Sequence, residues 1–501
     1  MATKNAKRAA KPERGKMIAQ GKRDEVRATT LLQQNPAATL SRSEPMPKQF
    51  PKPSRPRPQP TTPQALREDA VPYRTAAPPP RRQLHCIDLF AGCGGLSLGL
   101  EEAGFKPLLF SEINPQAAET YIANRTGLDI VPVGDVYNLT DLDLGLLQTY
   151  WRYKGVEEID LVCGGPPCQG YSGIGHRRTF KLDKQDIPSN HLFQEMVRVI
   201  RTVRPKMFLF ENVRGLLNAR WTPEGESGEI FKAVLKEFKT LQDYRIRWDL
   251  LHAKNYGVPQ NRPRVIMVGI RTDVLPHWVQ DPLLDSSFDA PSAVEFGFLP
   301  RPSGVPPSLE ELLSDLEDPH YLTRGETAEY PSEPRTEIQR LLRTTRDGRI
   351  LHKGEPLTEQ EYSDHAPYIR EKFAHMIANN GEIPERFKTK KFAQRVFPMV
   401  WGEDGPNLTA CSLPEDYVHY RQPRGPTVRE WARLQTFPDW YQFKGPRTTG
   451  GRRRAGDPSI GVWSRDVPRY TQIGNAVPVL LAEKIGKHIA MILRGELACR
   501  P

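Results

Sequence analysis

The chain has 501 residues, 38% of them hydrophobic and 26% charged, with a net charge of +11. That length supports two or three domains with sizeable cores. No apolar run is long enough to span a bilayer and no apolar signal core follows Met1, so a cytosolic, non-secreted protein is expected. The charge is uneven. Residues 1–83 hold 18 Lys and Arg against 6 Asp and Glu, whereas the rest holds 53 against 54, so whole-chain basicity says nothing about the folded body.

The first 83 residues are rich in Pro, Lys, Arg, Ala and Gln. They lack the apolar surface to offset chain entropy and read as a disordered arm, either a nonspecific phosphate-binding tail or a solvated one. Leu84–Phe90 then reads as a buried strand, followed by a glycine turn and an apolar-periodic segment over Leu96–Ala103. Pro107–Ser111 is a second strand and Pro115–Asn124 a second helix. Ile159–Cys163, Lys206–Phe210 and Val265–Ile270 are further strands, with helices at His191–Val203 and Glu229–Leu241 between them. Alternating strands and helices imply a mainly parallel sheet covered on both faces. From Arg271 to about Arg424 the alternation fails, with one helix suggested at Thr336–Arg343. Amphipathic periodicity returns at Thr427–Thr436 and Pro478–Leu493, separated by an Arg/Gly-rich insertion, Gly445–Pro468.

Four stretches carry chemistry. Asp88-Leu89-Phe90-Ala91-Gly92-Cys93-Gly94-Gly95 sits at a strand-to-helix turn, where open α/β sheets bind ligands and helix N-termini offer free N–H groups. Glu112 ends the next strand and can accept both hydroxyls of a ribose. Asp135, after a third strand, can take an adenine amino group. This much fits nicotinamide and adenosylmethionine enzymes alike, although Ser97 replaces the last glycine of a dinucleotide fingerprint. Next, Gly164-Gly165-Pro166-Pro167-Cys168-Gln169 presents a thiol on a stiffened turn, unlike a small core cysteine. Glu211-Asn212-Val213 closes an apolar strand, where a partly desolvated carboxyl favours sharing a proton with a ring nitrogen; a helix-capping acid is the plain alternative. Finally, Arg262 and Arg264 stand two apart in an extended segment and so on one side, able to hold a phosphate or a carbonyl oxygen beside a reacting ring; a surface pair is the plain alternative. The six cysteines form no CxxC pair and no zinc spacing, so free thiols and no metal are expected.

In this order the four stretches resemble the cytosine-C5 DNA methyltransferase family of bacterial or phage type. The resemblance rests on DLFAGCGGLSLGLEEAGF, GGPPCQGYS, FENVRGLL, NYGVPQNRPRV, REWARLQTFPD and QIGNAVP. It runs from Asp88 to Gly486, leaving out the arm and the irregular region. It implies an S-adenosylmethionine-dependent methyltransferase fold, α/β with a Rossmann-like mixed, mainly parallel sheet and a smaller irregular target recognition domain. The implied divisions are an arm at 1–83, a catalytic and cofactor-binding domain at 84–271, target recognition at 272–445, an insertion at 446–469, and a C-terminal segment at 470–501 that completes the catalytic domain.

The resemblance also implies roles. Cys168 looks like the nucleophile that adds to C6 of cytosine, Glu211 like the group at N3 and the exocyclic amine, and Arg262 and Arg264 like the arginines that hold the catalytic loop and base. Phe90, Gly92, Gly94, Glu112, Asp135, Pro166 and Asn475 match cofactor contacts. The implied methyl donor is S-adenosyl-L-methionine, without a metal. The implied partner is double-stranded DNA with its cytosine flipped out, under a loop at Gln169–Ser189 that carries His176, Arg177 and Arg178. A monomer in the bacterial cytoplasm, at the nucleoid through DNA, with a cognate restriction endonuclease acting separately and no membrane, completes the expectation. Tyr171 and Val479 depart from the commoner phenylalanine and proline. A tRNA cytosine methyltransferase shares the core but carries a Cys-Phe-Thr tripeptide, absent here. A non-catalytic DNA-binding homologue predicts loss of the cysteine, the glutamate or the glycines, all of which are present.

Overall fold

The computed structural model describes residues 82–167, 188–276, 290–388, 394–397, 408, 416–448 and 466–496. The basic arm up to residue 81, Cys168 with the segment carrying His176, Arg177 and Arg178, and most of the Gly445–Pro468 insertion lie outside the described residues.

Strands β1 (Leu84–Leu89), β2 (Phe105–Ser111), β3 (Val131–Val133), β4 (Leu161–Gly164), β5 (Met207–Val213), β6 (Tyr244–His252) and β7 (Pro263–Arg271) form one sheet, ordered β3-β2-β1-β4-β5-β7-β6. Pairing is parallel from β3 to β5. β7 runs antiparallel to both β5 and β6. Each strand alternates its side chains between two apolar layers. Phe208 and Phe210 join the layer built by α3 (Asp141–Tyr153), α4 (Leu192–Val203) and α5 (Glu229–Phe238), once α1 (Gly95–Glu102) and α2 (Pro115–Ala123) have followed β1 and β2. Met207 and Leu209 join the opposite layer, filled by α1 and the C-terminal α11 (Val479–Arg494). Sheet order reverses on either side of β1, which opens a crevice at the carboxyl ends of β1 and β4.

α11 returns across the whole chain to lie on α1. Two glycines set the distance: a Cβ on Gly99 would stand 2.5 Å from both the Ala482 Cβ and the Val479 carbonyl, and one on Gly486 would stand 2.8 Å from the Ala103 Cβ. Fully buried Leu481, Ile485 and Ile489 then contribute about 1.5–3 kcal/mol each by leaving water.

The irregular region holds α6 (Leu309–Leu313), α7 (Glu337–Arg343), α8 (Pro367–Ala378) and a two-stranded pair, β8 (Arg395–Val396) with β9 (Tyr417–Val418). Behind them come α9 (Val428–Leu434) and α10 (Arg469–Asn475). Leu309, Leu312 and Leu316 share one apolar cluster with Trp431 and with Leu98 of α1, so this region and the sheet meet in a common core.

α9 departs from the amphipathic helix expected at Thr427–Thr436. All seven of its residues are buried, including Arg429, Glu430 and Arg433. The wrapping region supplies their partners. Arg424 forks onto Glu430 at 2.6 and 2.9 Å, and Arg433 reaches Asp315 at 2.6 Å and Asp439 at 2.5 Å. The periodicity missed β6, α3, α6 and α8, and the short pair β8 and β9.

Candidate active site

The glycine turn after β1 is held in a conformation that few residues adopt. Phe90 has φ 59°, Gly92 57° and Gly94 86°. Backbone donors fix it to β2: Phe90 N–H reaches Ser111 Oγ at 3.1 Å, and Ala91 N–H reaches the Ser111 carbonyl at 2.9 Å. Gly92 N–H donates to Glu112 Oε2 at 2.8 Å, and Asn114 N–H donates to Oε1 at 2.7 Å. Glu112 is thus both the expected ribose acceptor and a strut of the turn itself. A side chain at Gly94 would strike Arg125, Tyr121 and Tyr441 within 2.9 Å, whereas Gly92 and Gly134 face open space. The N-terminus of α1 carries no side-chain cap and no acidic residue in its first turn, so its N–H groups suit an anionic ligand group. An open glycine floor, a helix N-terminus and an adjacent carboxylate fit S-adenosylmethionine. Asp135 accepts from Tyr137 N–H at 3.1 Å and starts a short turn beside this floor.

Under the turn lies a buried polar chain. Ser97 Oγ is 2.6 Å from Asp88 Oδ2 and 2.9 Å from the Tyr121 hydroxyl. Burial raises the Asp88 carboxyl from 3.8 to about 7, against the opposing hydrogen bond from Ser97. The folded protein therefore holds a proton that the unfolded chain has already lost between about pH 4 and pH 7. Stability contributed by this group falls as pH rises through that window and stays lost above it. Three pH units correspond to a penalty of order 4 kcal/mol. Urea unfolding at pH 5 and pH 8 checks this: the drop in stability between the two is expected to be smaller in Asp88→Asn than in the parent chain.

The register of β4 and β5 brings the second and third stretches together. Gly164 pairs with Phe210, so Gly165 and Pro166 run beside Glu211 and Asn212. Asn212 Nδ2 donates to the Pro166 carbonyl at 3.1 Å. A Cβ on Gly165 would stand 2.7 Å from Glu211 Oε2, so only glycine leaves that carboxylate its place. Glu211 is not a lone desolvated acid. Arg264 Nε lies 2.6 Å from its Oε1, an ion pair made possible by the diagonal position of Arg264, which pairs with Val213 two residues on.

The two arginines do not share one side. Arg262 precedes β7, and its fully buried guanidinium turns away from Glu211. It donates to the Gly474 carbonyl at 2.9 Å, to that of Asn475 at 3.2 Å, and to that of Leu408. The alternation rule fails because it needs both residues inside the strand. Arg262 is thus a clamp on the end of α10, where the Asn475 side chain is exposed, and not a group beside Glu211. Gln472, in the same stretch, accepts from Thr120 Oγ1 at 2.7 Å and donates to the Lys444 and Val467 carbonyls at 2.9 Å. Asn212, Gly165, Ser111 and Gln472 carry structural duties that spacing alone did not assign, although all but Ser111 lie within the quoted motifs.

The described cysteines are poor nucleophiles. Cys86, Cys93 and Cys163 are buried and free, and burial pushes Cys93 up to about 12 and the other two well above the ordinary thiol range.

Strand order, glycine turn and carboxylate fit an S-adenosylmethionine-dependent methyltransferase with a Rossmann-like sheet. Residues 84–491 match the family model for C-5 cytosine-specific DNA methylase, and the chain belongs to that family. It is a DNA (cytosine-5-)-methyltransferase. The chain is 31% identical over 416 residues to the type II methyltransferase M.DdeI of Desulfomicrobium norvegicum, covering 81% of this chain and 88% of that one. It is also 31% identical over 416 residues to M.XorII of Xanthomonas oryzae pv. oryzae, covering 81% and 85%. A prophage-encoded Escherichia coli protein described as a DNA modification methyltransferase shares the fold, with a TM-score of 0.55 and 24% identity over 82% of this chain and 99% of that one. Among the described residues no helix is long and apolar enough to cross a membrane.

Proposed function

We propose that Cys168 is the nucleophile of this methyltransferase and that Glu211, paired with Arg264, serves the target base. The observation that carries this is the contact between Gly165 and Glu211, because the segment entering Cys168 runs against the Glu211–Arg264 pair. The Cys168 thiolate adds to C6 of a flipped cytosine while Glu211 bonds at N3, which turns C5 into an enamine-like carbon. S-adenosylmethionine supplies the methyl group that C5 takes up. A base then removes the C5 proton, the C5–C6 double bond re-forms and the thiolate leaves. Arg264 holds the Glu211 carboxylate in line, and Arg262 keeps the Gly474–Asn475 turn, with its cofactor-facing residues, in register with β7. Phe90, Gly92, Gly94, Glu112, Asp135, Pro166 and Asn475 line the cofactor site in this reading.

Target recognition belongs, in this reading, to residues 272–445, whose basic side chains suit major-groove contacts. The naming of the relatives as type II methyltransferases supports a place in restriction–modification beside a separate endonuclease, in the cytoplasm at the nucleoid.

A duplex carrying 5-fluorocytosine at the target tests the chemistry, since fluorine cannot leave C5 as a proton does. With cofactor present, the parent chain is expected to form a complex stable in denaturant. A Cys168→Ala chain is expected to form none, and an adduct on that variant contradicts the assignment.

A further inference from the structure

We infer that Arg125 and Tyr441 are positioning residues for the cofactor: together they hold the second half of the glycine turn from behind, and cofactor affinity depends on them. The inference rests on the glycine turn being the cofactor site. β2 and Glu112 steady the first half of the turn, through Phe90, Ala91 and Gly92. Among the described residues no hydrogen bond joins the backbone of Cys93 or Gly94 to β2. Gly94 has φ 86°, and glycine by itself leaves that half free to take other shapes.

The missing hold comes from two buried side chains. The Tyr441 hydroxyl donates to the Cys93 carbonyl at 2.5 Å. Arg125 Nη2 donates to the Gly94 carbonyl at 3.2 Å. That same oxygen closes the first turn of α1 by accepting from Leu98 N–H at 2.9 Å. Arg125 Nη1 donates to the Tyr441 hydroxyl at 3.1 Å, which joins the two side chains into one clamp across consecutive carbonyls.

Each half of the clamp is itself fixed. Arg125, just beyond α2, has its Nε 2.5 Å from Glu101 Oε1, and its Nη1 also donates to the Tyr121 carbonyl at 3.1 Å. Its guanidinium lies 3.9 Å from the centre of the Tyr121 ring. The charge is thereby paired and the planar fork has one orientation. Tyr441 is fully buried, its carbonyl accepts from Arg429 Nη2 at 3.0 Å, and its ring packs against Phe437 and Phe443. Tyr441 lies beyond α9, near the end of residues 272–445, so a distant part of the chain completes the frame of the turn. Neither Glu211 nor Arg264 is among the clamp's partners. Loss of the clamp therefore weakens cofactor binding and spares the chemistry once the cofactor is saturating.

Two measurements on the full chain test this: calorimetric titration with S-adenosylhomocysteine, and methylation of duplex DNA with cofactor and DNA varied separately. Tyr441→Phe deletes the hydroxyl and keeps the ring. It is expected to raise the dissociation constant and the cofactor KM together by about five- to tenfold, with kcat within about twofold and the KM for DNA unchanged. Arg125→Lys keeps the charge beside Glu101 but not the fork, and should raise both at least as much. Tyr330→Phe removes another buried hydroxyl, 2.8 Å from Asp439, and should lower the thermal midpoint without moving either cofactor constant. Glu112→Ala reports on the turn itself and should weaken cofactor binding as well. If Glu112→Ala weakens binding and Tyr441→Phe does not, the clamp alone is overturned. If neither weakens it, the turn is not the cofactor site and both readings fall. A Tyr441→Phe chain that loses kcat at unchanged cofactor affinity overturns the proposal, as does a Tyr330→Phe chain whose cofactor affinity falls equally.

Discussion

Cys168→Ser is expected to lose methyl transfer by at least about 10³-fold while cofactor binding and the thermal midpoint stay unchanged. A serine hydroxyl is almost wholly protonated near neutrality and adds poorly to C6, whereas a thiolate is both available and strongly nucleophilic. A loss of that size amounts to about 4 kcal/mol of transition-state stabilisation. The described cysteines cannot substitute, because Cys86, Cys93 and Cys163 are buried and held as thiols. Radiolabelled methyl incorporation into duplex DNA reads the activity, and calorimetric titration with the cofactor reads the binding. Residual turnover of several per cent contradicts the assignment, and a fall in cofactor affinity along with activity points to a structural fault.

Arg433→Met is expected to destabilise the chain by about 3–5 kcal/mol, the largest single effect on folding, because it leaves a buried carboxylate without its cation. Arg433 joins Asp315 to Asp439, and none of the three side chains is exposed. Asp315 keeps a second partner, Arg343, whose Nε lies 2.8 Å away. Asp439 keeps only the Tyr330 hydroxyl at 2.8 Å among its described side-chain partners. Burial favours protonating Asp439, and Arg433 overrules it and holds the carboxyl below its ordinary range. Once the arginine is gone, burial wins. Asp439→Asn added to Arg433→Met is expected to recover part of the loss, since an amide carries no charge to bury. Urea midpoints at unchanged m-value check both variants; a double variant no better than the single one contradicts the account.

The motifs made the site legible because its parts hang on consecutive residues at strand ends. The turn after β1, Glu112, the run into Cys168 and Glu211 all follow apolar strands that periodicity can find. What periodicity missed was polarity buried by distant partners. β6 hid behind Arg245 and Arg247, and Arg247 is buried, with its guanidinium 5.3 Å from the centre of the Phe296 ring. α3 hid behind two aspartates and a glycine, although Thr140 and Asp143 form a capping box that marks its start. The stretch REWARLQTFPD matched the family without an evident duty. Its arginines and glutamate form the polar centre of a core, a role set by Asp315 and Glu359 far along the chain and by Arg424 just before the motif. The separation of Arg262 from Arg264 likewise depends on where β7 begins, one residue too late for both to follow the pleat.

The central claim is a cytosine-specific DNA methyl transfer. Its most direct test is methylation-sensitive sequencing of genomic DNA from a host without cytosine methylation of its own, after expression of the full chain. The account predicts 5-methylcytosine confined to one short sequence motif, and none after expression of Cys168→Ser. Unmethylated DNA from a host containing folded, cofactor-binding protein would contradict it.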